Sequence, residues 1–358
     1  MKELNELRDN IDKIDSKIID LLKQRARNVK AIGALKKTHS SPVFSNSREI
    51  SILRKIEGLA DDSIDAARLK DIYREILSAL RSLEGSVKVA FLGPEATFTQ
   101  QAAMKYFGKY VEYVAQRTIT DVFYEVEKQR VDFGVVPIEN SNEGAVNHTL
   151  DMLVESDLNI IGELYLRIHL NLLARQGTQK IEKIFAHPQT IGQSRRFLEE
   201  KYKDAKIIET DSTARAAEQA QNSSTSAAIA SSLAAQIFNL EILEKNIEDS
   251  TKNFTRFFVL AHNYQSQPTG KDKSTIAFSV KDEVGILYKM LRPFYENNIN
   301  LTKIESRPDK KKIWEYVFYV DFLGHFADDN VKAALRELEK KCIFLKRIGS
   351  YPVGEIHD

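Results

Sequence analysis

The chain has 358 residues, 42% hydrophobic and 29% charged, with a formal net charge of +1. This is an ordinary globular balance with room for two or three domains, and it excludes a global basic surface for nucleic acid and an acidic tail. The single cysteine, Cys342, excludes an intrachain disulfide, the charged start MKELNELRDNIDKID is not a secretory signal, and no apolar run approaches the roughly 20 residues of a membrane span, so a cytoplasmic protein is expected.

In chain order, residues 4–36 carry a helical period: Leu4, Leu7, Ile11, Ile14, Ile18, Leu22, Val29 and Ile32 recur at a 3–4 spacing. At about 1.5 Å per residue such a helix runs roughly 50 Å. That exceeds what one small domain covers, so a second chain is expected against it. THSSPV, 38–43, breaks the pattern. A second helix is expected from Ser47 with Ile52, Leu53, Ile56 and Leu59 inside, and a third from Ser63 with Leu69, Ile72, Ile76, Leu80 and Leu83, stopped by Gly85.

The period then changes. VKVAFL, 87–92, reads as a strand, and strands at 131–138, 158–161, 183–186, 206–210, 227–230 and 254–261 alternate with helices, an α/β pattern with a largely parallel sheet. NYQSQPTGKDK, 263–273, reads as a linker. Strand 274–280, helix 285–297, strands 299–307 and 313–322, helix 328–340 and strand 343–348 follow, an α+β ferredoxin-like order. DKKK, 309–312, reads as a solvated hairpin loop. Seven histidines without HExxH, and no CxxC, predict no metal.

Charges interrupt the apolar stripe of the first helix. Arg25 and Lys36 stand at stripe positions and Arg8 at its edge; the second helix opens with Arg48 and Glu49, and Glu84 ends the third. Buried cations need partners or a ligand. Interhelical ion pairing and snorkelling would suffice; a pocket for a small polyanion is the functional alternative. LRDNIDKIDSKIIDLLKQRARNVKAIGALK, SREISIL and YREILSALRSLEG resemble the all-helical chorismate mutases over residues 1–85. The resemblance implies that Arg8 and Arg25 meet the two substrate carboxylates, one of them from the partner of an intertwined dimer. It implies that Lys36 faces the ether oxygen that breaks away, and that Arg48 and Glu49 line the pocket, Glu49 holding the substrate hydroxyl. Glu84 stands where the family has Gln or Glu beside that oxygen. A Claisen rearrangement needs a compact substrate conformer and positive charge at that oxygen, with no acid, base or nucleophile. Glu84 is therefore expected to act protonated. Ser45 and Leu80 depart from the family pattern, which has an acidic residue and a serine there.

Five strand-to-helix junctions in the middle segment open with small, hydroxyl or amide residues: FLGPEATFTQQAA, VVPIENSNEGAVNHTLDML, IFAHPQTIGQSRRFL, ETDSTARAAE and AAIASSLAAQ. Each alone reads as ordinary capping; together they suggest a cleft for a small polyanion at strand ends. GPEATFT, VPIENSNEGAV, HPQTIGQ, DSTARAA, AAIAS and NFTRF resemble prephenate dehydratases over 86–262, two α/β lobes around a cleft like periplasmic binding proteins. The resemblance implies that Thr255 is catalytic and that Asn140, Ser141, Gln193 and Arg256 contact substrate. A threonine hydroxyl can hydrogen-bond a leaving oxygen and pass a proton to it, and a nearby arginine can hold a carboxylate bidentately. Ala96 and Ala186 replace the usual Gly and Ser.

VGILYKMLRPFYENNINLTKIESRPDKKKIWEYVFYVDFLGH resembles the ACT domains that end these enzymes. This implies that Gly285, Ile286 and Leu287, with Glu305, Ser306, Arg307 and Pro308, bind phenylalanine between paired domains. The expected organisation is a mutase domain 1–85, a dehydratase domain 86–263 and an ACT domain 273–358. Such a protein takes chorismate and prephenate as substrates and phenylalanine as effector, uses no cofactor, binds neither nucleic acid nor membrane, and forms a homodimer or homotetramer. An arogenate-specific enzyme and a non-catalytic amino-acid sensor are the alternatives. Arg8, Arg25, Lys36, Glu49 and Thr255 speak against the second.

Overall fold

The uninterrupted 3–4 spacing near the start winds Lys2–Thr38 into one helix, α1. The computed structural model describes residues 1–38, 44–281, 283–308 and 316–357. The chain divides into two units, Met1–Val87 with Phe107–Glu112, and Lys88–Tyr106 with Tyr113–Asp358. The expected break at 39–43 and the DKKK loop lie outside the described residues.

The first unit continues with α2 (Asn46–Glu57) and α3 (Ala66–Arg81). α3 starts later than the expected Ser63 because Asp65 is its cap, accepting the Arg68 N–H at 2.9 Å. Ser63 belongs to the preceding turn on Asp61. Leu59, expected inside, lies past the end of α2 and is 72% exposed. On α1 only Val29 is buried among the described apolar residues of the stripe; Leu7, Ile11, Ile14 and Ile18 stay exposed.

The second unit opens with β1 (Lys88–Leu92), α4 (Phe98–Phe107), β2 (Glu112–Gln116), α5 (Ile119–Glu127), β3 (Phe133–Asn140), β4 (Gly144–Ala145), α6 (Asn147–Glu155) and β5 (Leu158–Arg167). A second lobe follows: β6 (Asn171–Ala174), β7 (Lys183–Ala186), α7 (Pro188–Gln193), α8 (Arg195–Lys201), β8 (Lys206–Glu209), α9 (Thr213–Gln221), β9 (Ser226–Ala230), α10 (Ser232–Ile237) and β10 (Glu241–Glu244). The chain returns to the first lobe as β11 (Phe254–His262). It then forms β12 (Asp272–Val280), α11 (Ile286–Glu296), β13 (Leu301–Pro308), β14 (Tyr316–Leu323), α12 (Asp329–Glu339), β15 (Phe344–Pro352) and β16 (Ile356–His357).

The sheets run β16-β5-β11-β3-β1-β2 with β4 on β3, then β10-β6-β9-β7-β8, and β13-β14-β12-β15. The third has the ferredoxin-like order. The first two are mixed, which corrects the largely parallel expectation. The chain leaves the first lobe along β5 and re-enters along β11, so β11 lies antiparallel to both β5 and β3. Strands joined by helical crossovers pair in parallel, as β1 does with β3 and β7 with β9. The linker reading also needs correction at its end: Asp272 and Lys273 are already strand residues, buried in β12.

One core joins the first lobe to a face of the third sheet, with Val136, Ile138, Phe258 and Leu260 packed among Ala277, Tyr319, Ile348 and Tyr351. The other face of that sheet packs under α11 and α12 through Phe278, Met290, Phe294, Val320 and Leu335. The second lobe has a small-residue core built on Ala214, Ala217, Ala228, Ala230 and Ala234, which lets α9 and α10 approach β9 closely.

Candidate active sites

In the helical unit, Lys36 Nζ lies 2.8 Å from Glu84 Oε2, with both side chains mostly buried. Gly33, one turn before Lys36, permits this approach: a Cβ there would stand 2.9 Å from the Glu84 Cα. Glu49 is engaged by Arg81, whose Nε and one terminal nitrogen donate to its two oxygens at 2.9 Å each. Arg81 also donates to the Phe107 carbonyl and lies 4.7 Å over the Phe44 ring. Burial pushes the Glu49 carboxyl above its ordinary range, and Arg81 holds the rise back. Arg81 escaped the sequence reading, although it lies one turn after Leu77 on the buried side of α3. Arg8 and Arg48 are exposed and Arg25 is half-buried. Among the described residues none of the three has an ion-pair partner within the chain.

The second candidate site, in the lobes of the second unit, is set by strand register. Thr255 on β11 lies directly opposite Asn140 on β3, and such facing residues are close enough for side chains to meet. Asn140 Nδ2 donates to Thr255 Oγ1 at 2.9 Å and to Asn253 Oδ1 at 3.2 Å. Asn140 Oδ1 accepts the Asn142 N–H at 2.9 Å. Asn253 Nδ2 donates to Gln193 Oε1 at 2.9 Å, from the end of α7 in the second lobe. The Ser141 hydroxyl donates to the Lys252 carbonyl and accepts the Phe254 N–H, so it ties the loop before β11 to β3. Thr255, Asn140, Ser141 and Gln193 are thus brought together. Asn253, the first residue of NFTRF, is 1% exposed and joins them.

Arg256 is placed elsewhere, which corrects its expected contact with a substrate carboxylate. Adjacent strand residues face opposite ways, and the Arg256 guanidinium turns from Thr255 to Glu163 Oε2 and Asp321 Oδ2, each at 2.6 Å. Tyr351 and Glu139 lie 3.2 and 4.0 Å from it. Four of the five junctions read as an anion cradle cap their own helices. Thr97, His187, Ser212 and Ser231 accept helix N–H groups, whereas α6 starts after Val146 without a side-chain cap. Ala186 is fully buried at the end of β7.

In the third domain, Gly285 precedes α11 with φ of 76°, a left-handed conformation that favours glycine. Ile286 and Leu287 open the helix, Leu287 exposed. The ESRP residues alternate along β13: Ser306 and Pro308 are exposed, while Glu305 and Arg307 share a face with Lys303. Arg307 pairs with Asp151 of α6 at 3.1 Å and donates to the Asn147 carbonyl. Within the chain its charge is therefore committed to α6 of the first lobe. Among the described residues no group of three or more His, Cys, Asp or Glu could hold a metal ion, and no helix is long and apolar enough to cross a membrane.

Comparison with known proteins follows this division. A chorismate mutase type II family model matches residues 7–85, a prephenate dehydratase model 89–265 and an ACT domain model 274–340. A bifunctional chorismate mutase/prephenate dehydratase of Aquifex aeolicus is 49% identical over 98% of each chain. One of Pseudomonas aeruginosa is 40% identical over the same shares. Among solved structures, a prephenate dehydratase of Arthrobacter aurescens in complex with L-Phe superposes with a TM-score of 0.69 at 31% identity, covering 75% of this chain and 90% of that one. The chain belongs to the family of bifunctional chorismate mutase/prephenate dehydratases that carry a C-terminal ACT domain.

Proposed function

We propose that Lys36 and Glu84 serve the rearrangement of chorismate to prephenate, and that Thr255 serves the conversion of prephenate to phenylpyruvate. In the first reaction no group is transferred. Lys36 supplies positive charge to the ether oxygen as its bond to carbon breaks. Glu49 accepts a hydrogen bond from the substrate hydroxyl, Arg8 and Arg25 hold the two carboxylates, and Arg48 lines the pocket. Arg8, Arg25 and Arg48 lack an ion-pair partner among the described residues of the chain, and the exposed stripe of α1 fits a second copy that would bring its own arginine to the pocket. A homodimer or homotetramer in the cytoplasm is the state we infer.

In the second reaction the ring carboxylate leaves as carbon dioxide. The electron pair it releases completes the aromatic ring, and the ring hydroxyl departs with a proton as water. Thr255 donates a hydrogen bond and proton to that oxygen and regains the proton from solvent, while Gln193, Asn140 and Ser141 orient the substrate. The observation that carries this assignment is the facing pair of Thr255 and Asn140. Phenylalanine is the effector we infer for the third domain, at Gly285, Ile286, Leu287, Glu305, Ser306 and Pro308, with Arg307 recruited from Asp151; the support is the phenylalanine complex of the Arthrobacter aurescens dehydratase.

The test is a chorismate time course with and without phenylalanine, run on wild type and Thr255→Ala. Phenylpyruvate suppressed by phenylalanine, and prephenate accumulating in the variant, are expected. Near-normal phenylpyruvate formation by Thr255→Ala removes that residue from the mechanism, and prephenate accumulating in wild type points to another substrate, such as arogenate.

A further inference from the structure

We propose that Asn253 is a positioning residue that sets the polarity of the dehydratase site, so that its two ends both present hydrogen-bond donors to the substrate. The proposal rests on the reading of Thr255 and Gln193 given above. Its starting point is a group whose direction is not in question. A backbone N–H can only donate, and the Asn142 N–H points at Asn140 Oδ1. This fixes the Asn140 amide with its nitrogen toward Thr255 and Asn253. Both Asn140 N–H bonds are then used, one on the Thr255 hydroxyl oxygen and one on Asn253 Oδ1.

Asn253 is fixed in turn. Its oxygen faces Asn140, so its nitrogen faces Gln193 and donates to Oε1. Among the described residues no acceptor takes the Gln193 Nε2 hydrogens, which are left to donate. Thr255 accepts from Asn140, and among the described residues no acceptor takes its own hydroxyl proton, so that proton is free for a ligand. One backbone N–H thereby determines the direction of the relay of amides that follows. The two free donors suit the substrate: a proton for the leaving hydroxyl at Thr255, and N–H groups for a carboxylate at Gln193. Asn253 is the member of this relay that bonds to both lobes, joining β3 of the first to α7 of the second. A buried amide in this place is costly unless all its bonds are made, and no charged or apolar residue could both accept from Asn140 and donate to Gln193.

Asn253→Asp separates the two ends. The carboxylate still accepts from Asn140, so Thr255 keeps its orientation. It cannot donate to Gln193, whose amide must turn over and present its oxygen to the substrate carboxylate. The expected result is a KM for prephenate raised at least tenfold with kcat within about threefold of wild type. The KM defect should shrink as pH is lowered from 8 toward 6, because protonation of the introduced carboxyl regains the missing donor; uncatalysed loss of prephenate is subtracted. A purely structural role predicts a fall in kcat with no such recovery. Should Asn253→Asp fail to fold, Gln193→Glu reverses the same donor from the half-exposed side and is expected to raise KM by a similar factor. An unchanged KM in the folded variant, or a KM defect of equal size at both pH values, overturns the proposal. Thr255→Ala is assayed alongside: if it keeps full turnover, the reading of the site fails, whereas a dead Thr255→Ala with an unaffected Asn253→Asp sinks only the role of Asn253.

Discussion

Arg256 follows Thr255 in the chain yet closes a 2.6 Å ion pair with Asp321, in the middle of the third domain's sheet. Glu163 completes the arrangement, holding Arg256 and Lys273 at 2.6 Å each. Tyr351 and Thr275 bond to its edges. Two cations and two anions are thus buried together, every one of them under 10% exposed. Burial opposes the Arg256 charge, but Asp321, Tyr351 and Glu163 outweigh it and hold the guanidinium well above its usual pKa. The outer face of the TRF strand is therefore bound to the ACT domain, while its inner face carries Thr255. The PIENS strand repeats the pattern, since Glu139 pairs with Lys303 of β13 at 2.8 Å while its neighbour Asn140 faces Thr255.

Removing one member of this cluster strands the rest. Asp321→Ala is expected to cost about 3–5 kcal/mol, because it leaves a buried cation half-paired. Urea denaturation followed by circular dichroism, with loss of dehydratase activity marking the relevant transition, measures it. A shift worth less than about 1 kcal/mol, the range of an exposed ion pair, would mean the cluster is solvated in solution.

At the mutase site, Lys36→Met is expected to lower chorismate turnover by about 10²-fold or more, the usual loss for one preorganised electrostatic group. Dehydratase activity on supplied prephenate should stay intact, since Lys36 lies in the helical unit. Glu84→Gln tests its partner: a neutral amide beside the ether oxygen keeps the hydrogen bond and removes the negative charge. Chorismate turnover by the variant is expected to equal or exceed that of the wild type, because the amide presents no negative charge to the developing oxyanion. A loss of turnover as deep as that of Lys36→Met would show that the carboxylate charge itself is needed.

Glu49 provides a stability test with a definite sign. Its carboxyl is pushed up by burial in the fold. A carboxyl raised on folding contributes stability that is fully present below its unfolded pKa, about 4.3, and is lost as pH rises through the raised, folded value. Glu49→Gln cannot ionise and lacks that loss. The stability of the variant relative to wild type should therefore grow from pH 4 to pH 7, whatever the constant cost of the altered Arg81 pairing. Thermal melts across this window decide it; a difference that is constant or shrinks with pH is the contrary result.

Cys342 should be slow to react. Burial, with Glu339 nearby, pushes its thiol up to about 11. Only the thiolate is a nucleophile, so at pH 8 alkylation by iodoacetamide should run about 10²-fold slower in the native protein than after denaturation, given an ordinary thiol near 8.5. Equal rates in the two states would show an exposed, unperturbed thiol.

Much of this molecule was legible in its sequence because the signals are local. The 3–4 spacing of Leu7, Ile11, Ile14 and Ile18 is enough to wind α1, and βαββαβ order is enough for the ferredoxin-like sheet. The expected strands at 183–186 and 254–261 recur almost residue for residue. The short strands β2, β6 and β10 were not legible. β2 and β10 are half-exposed edges without a clear alternation, and β6 is a four-residue buried run that any element type could carry.

The candidate sites divide in the same way. Sequence alone placed Thr255, Asn140 and Gln193 in three separate signatures, Lys36 at the end of the first helix and Glu84 at the end of the third. It could not say which neighbour each would meet, because register and side-chain direction depend on the partner strand. The tertiary structure decided that Thr255 faces Asn140 and that Arg256, one residue on, faces Asp321, since alternation along β11 sends consecutive side chains to opposite faces. It also decided that Arg81 holds Glu49, that Arg307 reaches Asp151, and that Asn253 closes the path from Gln193 to Asn140. Each of these is a meeting of residues far apart in sequence. Helix packing brings Arg81 to Glu49, and the two crossings between lobes and the docking of one sheet on another bring the rest together.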